Sequence, residues 1–229
     1  KQGHAKNLEL RYNSNGVEWR EDLFDLWREF KLVRFHYSVD SIHDMNDYIR
    51  YPSEWKRTEE VFHILDTQTS DNVEITVACA VQALNVYYLP DFIKWKLEQN
   101  FNKINMWPFG AGGINYHFVY HPAHLNVKVL PDWFKAECRK KYEEFYPWWE
   151  ANWEKSIPSW HKGKVEYDTW RSAEYGIKRL EGMLTFMESE DWSVRLPEMQ
   201  EFLALCDRQR NNSFTDTFPE MKDIFKDVS

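Results

Sequence analysis

A chain of 229 residues with 43% hydrophobic content can bury one full core, and 29 basic against 37 acidic residues leave a formal charge of −8. That charge is spread along the sequence, which argues against nucleic acid or an anionic membrane as a partner through the overall field. No apolar run approaches the ~20 residues of a membrane span. The cysteines, Cys79, Cys138 and Cys206, lie far apart without Cys-x₂-Cys spacing, which points to a reducing, cytoplasmic setting rather than a disulfide framework. The amino terminus, Lys1-Gln2-Gly3-His4-Ala5-Lys6, carries neither an initiating Met nor a signal-peptide pattern, and reads as a cut end.

In chain order, residues 7–13 read as a strand and 18–30 as an amphipathic helix with Trp19, Leu23, Phe24, Leu26, Trp27 and Phe30. A strand follows at 32–39, then a helix from near Pro52 through Leu65. Val73 to Val81 is the most β-branched stretch. Pro90 opens a helix to about Asn100, and 102–107 reads as a short strand. Crossovers too long for hairpins make these strands parallel. A gapped or partial barrel is the expected closure, with residues 1–131 as its extent.

Beyond Trp107-Pro108 the pattern changes. Gly110 to Gly113 is a flexible turn, Ile114–Tyr120 and Leu125–Leu130 look extended, and Pro131-Asp132 opens a helix toward Tyr146. Pro147, Trp148, Trp149, Trp153, Pro158 and Trp160 form an aromatic, proline-broken stretch. Tyr167–Met187, Leu196–Leu205 and Phe218–Phe225 read as helical or partly so, so residues 132–229 form a helical, aromatic-rich tail packed on the barrel. The fold class is α/β: a partial, TIM-like (β/α) barrel with a mainly helical tail.

Side chains two apart on a strand share a face. Glu9, Arg11, Asn13 and Asn15 therefore oppose Leu8, Leu10 and Tyr12, while Arg34, His36, Ser38 and Asp40 oppose Val33, Phe35, Tyr37 and Val39. Glu74, Thr76, Ala78, Ala80 and Gln82 oppose Val73, Ile75, Val77, Cys79 and Val81; Lys103, Asn105 and Trp107 oppose Ile104 and Met106. A parallel sheet covered on both faces is usually apolar throughout, so a polar face on every strand needs a cause. A barrel lumen around a polar ligand supplies one; an antiparallel sheet with one solvated face would make the same alternation. Polar groups at the carboxyl ends of strands are where α/β folds bind ligands.

The order Tyr12-Asn13-Ser14-Asn15-Gly16, His36-Tyr37-Ser38-Val39-Asp40, Asp47-Tyr48-Ile49-Arg50 and nearby Trp55 resembles the middle strands of radical S-adenosylmethionine enzymes, in the group with a twitch-type iron–sulfur module. Asn85 with Leu89-Pro90, Leu130-Pro131, and the closing run from Leu205-Cys206-Asp207 to Phe218-Pro219-Glu220 agree with that group. Ser14 stands where Thr is usual and Asn211-Asn212 where a Gly is common. The first two strands, which would bring the Cys-x₃-Cys-x₂-Cys loop of a four-iron four-sulfur cluster, have no counterpart here.

The resemblance implies that the complete protein binds S-adenosylmethionine and such a cluster, and forms a 5′-deoxyadenosyl radical that takes hydrogen from an unknown substrate. This chain alone would then be inactive, with neither cofactor bound. It also implies that Arg50 grips the methionyl carboxylate, with Ser38 and Asp40 near the ribose or methionine atoms and Asn15, Gln82 and Asn85 completing the polar ring. Arg11, Asn105 and Trp107 would face the substrate. The rival from another class is a non-catalytic binding or assembly protein on a degenerate barrel, with the aromatic tail as partner surface. Absent earlier strands would leave 7–13 as an open edge and invite self-association.

His117, His121 and His124, with Glu137 or Asp132, resemble no recognised zinc spacing, and no metal is expected there. Cys79 alternates onto an apolar strand face and reads as core, while Cys138 and Cys206 sit on helices.

Overall fold

The computed structural model describes residues 3–20, 22–105, 113–157 and 172–226. One sheet carries four parallel strands in sequential order: β1 (Glu9–Ser14), β2 (Leu32–Ser38), β3 (Val73–Val81) and β4 (Ile114–Phe118). Between them run α1 (Leu23–Arg28), α2 (His43–Ile49), α3 (Trp55–Asp66) and α4 (Leu89–Glu98). The apolar faces of β2 and β3 are sealed: Val33, Phe35, Tyr37, Val39, Val73, Ile75, Val77, Cys79 and Val81 are all buried. On α3 the residues Trp55, Thr58, Val61, Phe62 and Leu65 recur at helical spacing and supply the covering stripe. The expected parallel α/β class with one polar sheet face is present.

The first crossover is shorter than its periodicity suggests. Trp19 stays outside α1 because its ring packs edge-on against Phe24, Trp27 and Phe35, and Arg20 pairs with Asp22 instead of leaving it to cap the helix. The sequence pattern does not announce α2, since its seven residues are mostly polar.

The fourth strand lies elsewhere than the alternation at 102–107 suggests. Lys103–Asn105 is a 3-10 turn, because both oxygens of the Asp66 carboxylate accept the backbone N–H groups of Asn102, Lys103 and Ile104 at 3.1, 2.6 and 3.3 Å. Those donors cannot serve a sheet ladder. β3 pairs instead with β4, Val77 opposite Ile114 and Ala80 opposite His117. The extended segment expected at 125–130 is two 3-10 turns, Ala123–Leu125 and Val127–Val129, pinned by Asn126, whose amide donates to Val119 O and whose Oδ1 accepts from Lys128 N.

In the tail, α5 (Asp132–Asn152) passes through Pro147 rather than ending at Tyr146. Burial of Phe145 and Trp149 holds that last part, and Trp149 donates to Ala173 O. α6 (Ala173–Glu188) starts at the Ser172 cap and crosses close to α5 at Gly176, where a Cβ would sit 2.5 Å from the Trp149 indole. α7 (Leu196–Arg210) outruns its expected end, closing on Asn211 in the left-handed region, a common helix stop. α8 is only Phe214–Thr217, and the stretch at 218–225 is partly helical, a 3-10 turn at Pro219–Met221 followed by turns. The tail docks through Tyr48 Oη to Asp207 Oδ1 at 2.7 Å and Tyr88 Oη to Glu220 Oε2 at 2.6 Å, with Phe218 between the two tyrosine rings. One buried core runs through sheet, helices and tail.

β1 is an edge strand, and Leu8 beside it is 53% exposed. Its outer backbone groups have no strand partner among the described residues, and an edge of this kind favours pairing with a second chain. Hydrogen exchange should therefore show residues 9–13 growing more protected as concentration rises, in step with dimer formation; concentration-independent exchange of a monomer would contradict this.

Candidate functional site

Two groups of polar residues meet on and above the sheet. At the carboxyl ends of β2 and β3, Asp40 is 4% exposed and acts as a hub. Its Oδ1 accepts from Ala80 N at 2.7 Å, its Oδ2 from Arg50 Nη1 at 2.7 Å, and its backbone oxygen from Asn85 Nδ2 at 2.8 Å. Asn85 also donates to Ala80 O and accepts from Gln82 N at 2.8 Å. Asn46 Oδ1 accepts from Asp40 N. Four of the expected cofactor residues, Asp40, Arg50, Gln82 and Asn85, thus belong to one network, and Ser38 lies on the last sheet row before it.

Arg50 is not an idle cation. It holds Asp40, so a ligand carboxylate there would share the guanidinium. Two atoms of this region have no protein partner among the described residues although fully enclosed: Gln82 Oε1 and Ser41 Oγ. Buried polar groups are nearly always satisfied, and an unsatisfied pair at strand carboxyl ends suits a polar ligand. Asn15 is displaced from the network, in a turn where its Oδ1 accepts from Val17 N at 3.3 Å. Gly16 is obligatory in that turn: φ is 68° and a Cβ would lie 2.7 Å from the Tyr37 ring.

The second group lies on the polar sheet face, where a cleft of about 280 Å³ is lined by Arg11, Arg34, His36, Glu74, Thr76 and Asn115. Register explains it: Arg11, Arg34 and Glu74 form one row across β1–β3, and His36 and Thr76 are neighbours in the row that follows. Arg34 Nε donates to Glu74 at 2.8 Å. His36 Nε2 accepts from Arg11 Nε at 3.0 Å, and its Nδ1 is 2.6 Å from Thr76 Oγ1. Burial, with the charge of Arg11 behind it, lowers the His36 pKa and keeps the ring neutral.

Of the expected substrate residues, Arg11 is in this cleft, whereas the side chain of Asn105 and all of Trp107 lie outside the described residues. Asn115 escapes a reading that puts the fourth strand at 102–107; the polar–apolar alternation of Asn115 and His117 against Ile114 and Tyr116 is the signal that finds it.

Among the described residues no group of three His, Cys, Asp or Glu side chains is placed to hold a metal. His124 packs on Phe202 and faces Glu198 at 3.9 Å. The cysteines are buried singly, and burial raises the thiol pKa of Cys79 and of Cys138, so these residues do not fit an iron–sulfur cluster. No helix among the described residues is long and apolar enough to cross a membrane. The fold and site thus define a parallel α/β protein with a polar sheet face and a ligand-sized cleft. Searches against family models, curated proteins and solved structures each return no match.

Proposed function

We propose that this chain is the carboxyl-terminal part of a radical S-adenosylmethionine enzyme's partial (β/α) barrel, of the twitch-containing group, closed by a helical tail. The observation that carries the proposal is the gathering of Asp40, Arg50, Gln82 and Asn85 at the carboxyl ends of sequentially ordered parallel strands, beside the enclosed, unpartnered Gln82 Oε1 and Ser41 Oγ. Gln82 and Ser41 would hold polar atoms of the methionine or ribose, and Arg50 its carboxylate. When bound, S-adenosylmethionine would supply the adenosyl group that, once the cofactor is reductively cleaved, takes hydrogen from the substrate; the residues here would hold and orient it. The polar sheet face would receive the substrate, whose identity stays open.

The complete protein, reconstituted anaerobically with iron and sulfide, is expected to release 5′-deoxyadenosine on reduction. This chain by itself is expected to take up no stoichiometric cluster; a stable four-iron cluster held by Cys79, Cys138 and Cys206 would overturn the proposal.

A sharper check uses Gln82→Met in the complete protein. Removing an enclosed acceptor without a partner should raise stability by about 1 kcal/mol and weaken S-adenosylmethionine binding by about 0.5–1.5 kcal/mol. Calorimetric titration beside urea unfolding reads both; unchanged affinity would remove Gln82 from the site. The hold of Asp40 on Arg50 favours one second reading, a non-catalytic binding protein on a degenerate barrel. A complete protein that binds no S-adenosylmethionine would select it.

A further inference from the structure

On the polar sheet face the carboxylates are already taken. Glu9 pairs with Lys31 at 2.9 Å and faces Arg34 at 3.8 Å, and Glu74 pairs with Arg34 at 2.8 Å. Arg11 lies in the same row, yet it makes no ion pair with a carboxylate among the described residues. Its Nε is anchored instead on a neutral acceptor, His36 Nε2, and the ring is fixed in turn by Thr76. With Nε2 accepting, the ring proton sits on Nδ1 and points at the threonine hydroxyl. This chain of bonds sets the plane of the guanidinium while leaving its terminal amino groups to the cleft.

A planar, pre-oriented guanidinium presents two parallel N–H donors, the geometry that matches a carboxylate or phosphate in a fork. Arg34 and Glu74 pair, and His36 is neutral, so among the described lining residues Arg11 supplies the net positive charge. Asn115 and Thr76 add neutral polar groups along the wall. The cleft volume of about 280 Å³ falls just under the range of small-molecule sites, about 300 to 1,000 Å³, which suits a small ligand.

We propose that this cleft binds a small organic oxyanion, its carboxylate or phosphate forked by Arg11 and its remainder lying along Thr76 and Asn115. That the anion is the substrate rests on the proposed radical S-adenosylmethionine function; that it binds does not.

The full chain, without S-adenosylmethionine, is titrated with sodium succinate and separately with inorganic phosphate at constant ionic strength, following the ¹⁵N signals of Arg11 Nε and the His36 ring. One of the two anions is expected to saturate both signals, while neutral succinamide moves neither. Arg11→Met should weaken binding about tenfold or more, and Arg11→Lys, which keeps the charge but loses the fork, by less. Arg11 is exposed on the edge strand, so both variants should melt with the parent chain. Absence of saturation by either anion, equal binding of succinamide, or unchanged affinity in Arg11→Met would overturn the proposal. Failure here leaves the Gln82 titration untouched, and loss of S-adenosylmethionine binding leaves this one standing.

Discussion

Asp40→Ala is expected to destabilise the chain by about 3–5 kcal/mol, the range for removing one partner of a buried ion pair. The loss has two parts. Ala80 N, at the end of β3, loses the Oδ1 acceptor that ties it to β2, and Arg50 loses the carboxylate that holds its Nη1. The Arg50 side chain, 24% exposed, can turn partly to water, whereas the enclosed Asp40 side chain cannot. Arg50→Ala should therefore cost as much or more, about 3–5 kcal/mol, by leaving a buried carboxylate with the Ala80 N–H as its remaining side-chain donor. Asp40→Asn should fall between wild type and Asp40→Ala, because an amide oxygen still serves Ala80. Urea unfolding of the three variants and of the Asp40→Ala/Arg50→Ala double variant tests the ranking, with a coupling energy expected to favour the pair. If Arg50→Ala unfolds with the parent chain, Arg50 is a ligand clamp and nothing more.

The same pair marks how far the chain can be read without coordinates. Alternation places Arg11, His36 and Asp40 on one sheet face, and β1–β3 lie where residues 7–13, 32–39 and 73–81 are expected, to within a residue or two. Periodicity sees only neighbours along one strand, however. That Arg50 is claimed by Asp40, and that Arg11 rests on a histidine, are cross-element facts fixed by register and loop path. The fourth strand fails for a related reason. Lys103, Asn105 and Trp107 alternate well enough, but Asp66, 37 residues earlier than Lys103, captures the local backbone donors and winds Lys103–Asn105 into a turn, residues 106 and 107 lying outside the described residues. Helix ends fail where side chains outside the helix decide them: Trp19 stays with the Trp27 and Phe35 rings, and Trp149 carries α5 past Pro147.

Lys96→Met is expected to stabilise the chain, and to do so most below pH 7. The apolar stripe of α4 runs Leu89, Phe92, Ile93 and Leu97, and Lys96 occupies the remaining inward position with none of its surface exposed. Burial pulls its pKa from the usual lysine value down to about 7, a pull that the nearby Asp66 carboxylate only partly opposes. Between about pH 7 and 10.5 the unfolded chain holds a proton on this lysine that the folded chain has released, so the stability of the parent protein rises with pH across that window. Below about pH 7 both states are protonated, and the folded state bears the net cost of an enclosed ammonium group that its surroundings only partly offset. Every tenfold loss of proton affinity corresponds to about 1.36 kcal/mol, so a methionine of similar length should gain on the order of 3–5 kcal/mol at pH 6 and progressively less toward pH 10. Asp66 does not depend on Lys96 for support, since it caps the 102–104 backbone with both oxygens. Urea unfolding of parent and variant at pH 6, 8 and 10 reads the difference directly. A variant that gains nothing at pH 6, or whose advantage grows toward pH 10, would mean that the ammonium group is well solvated or firmly paired where it sits.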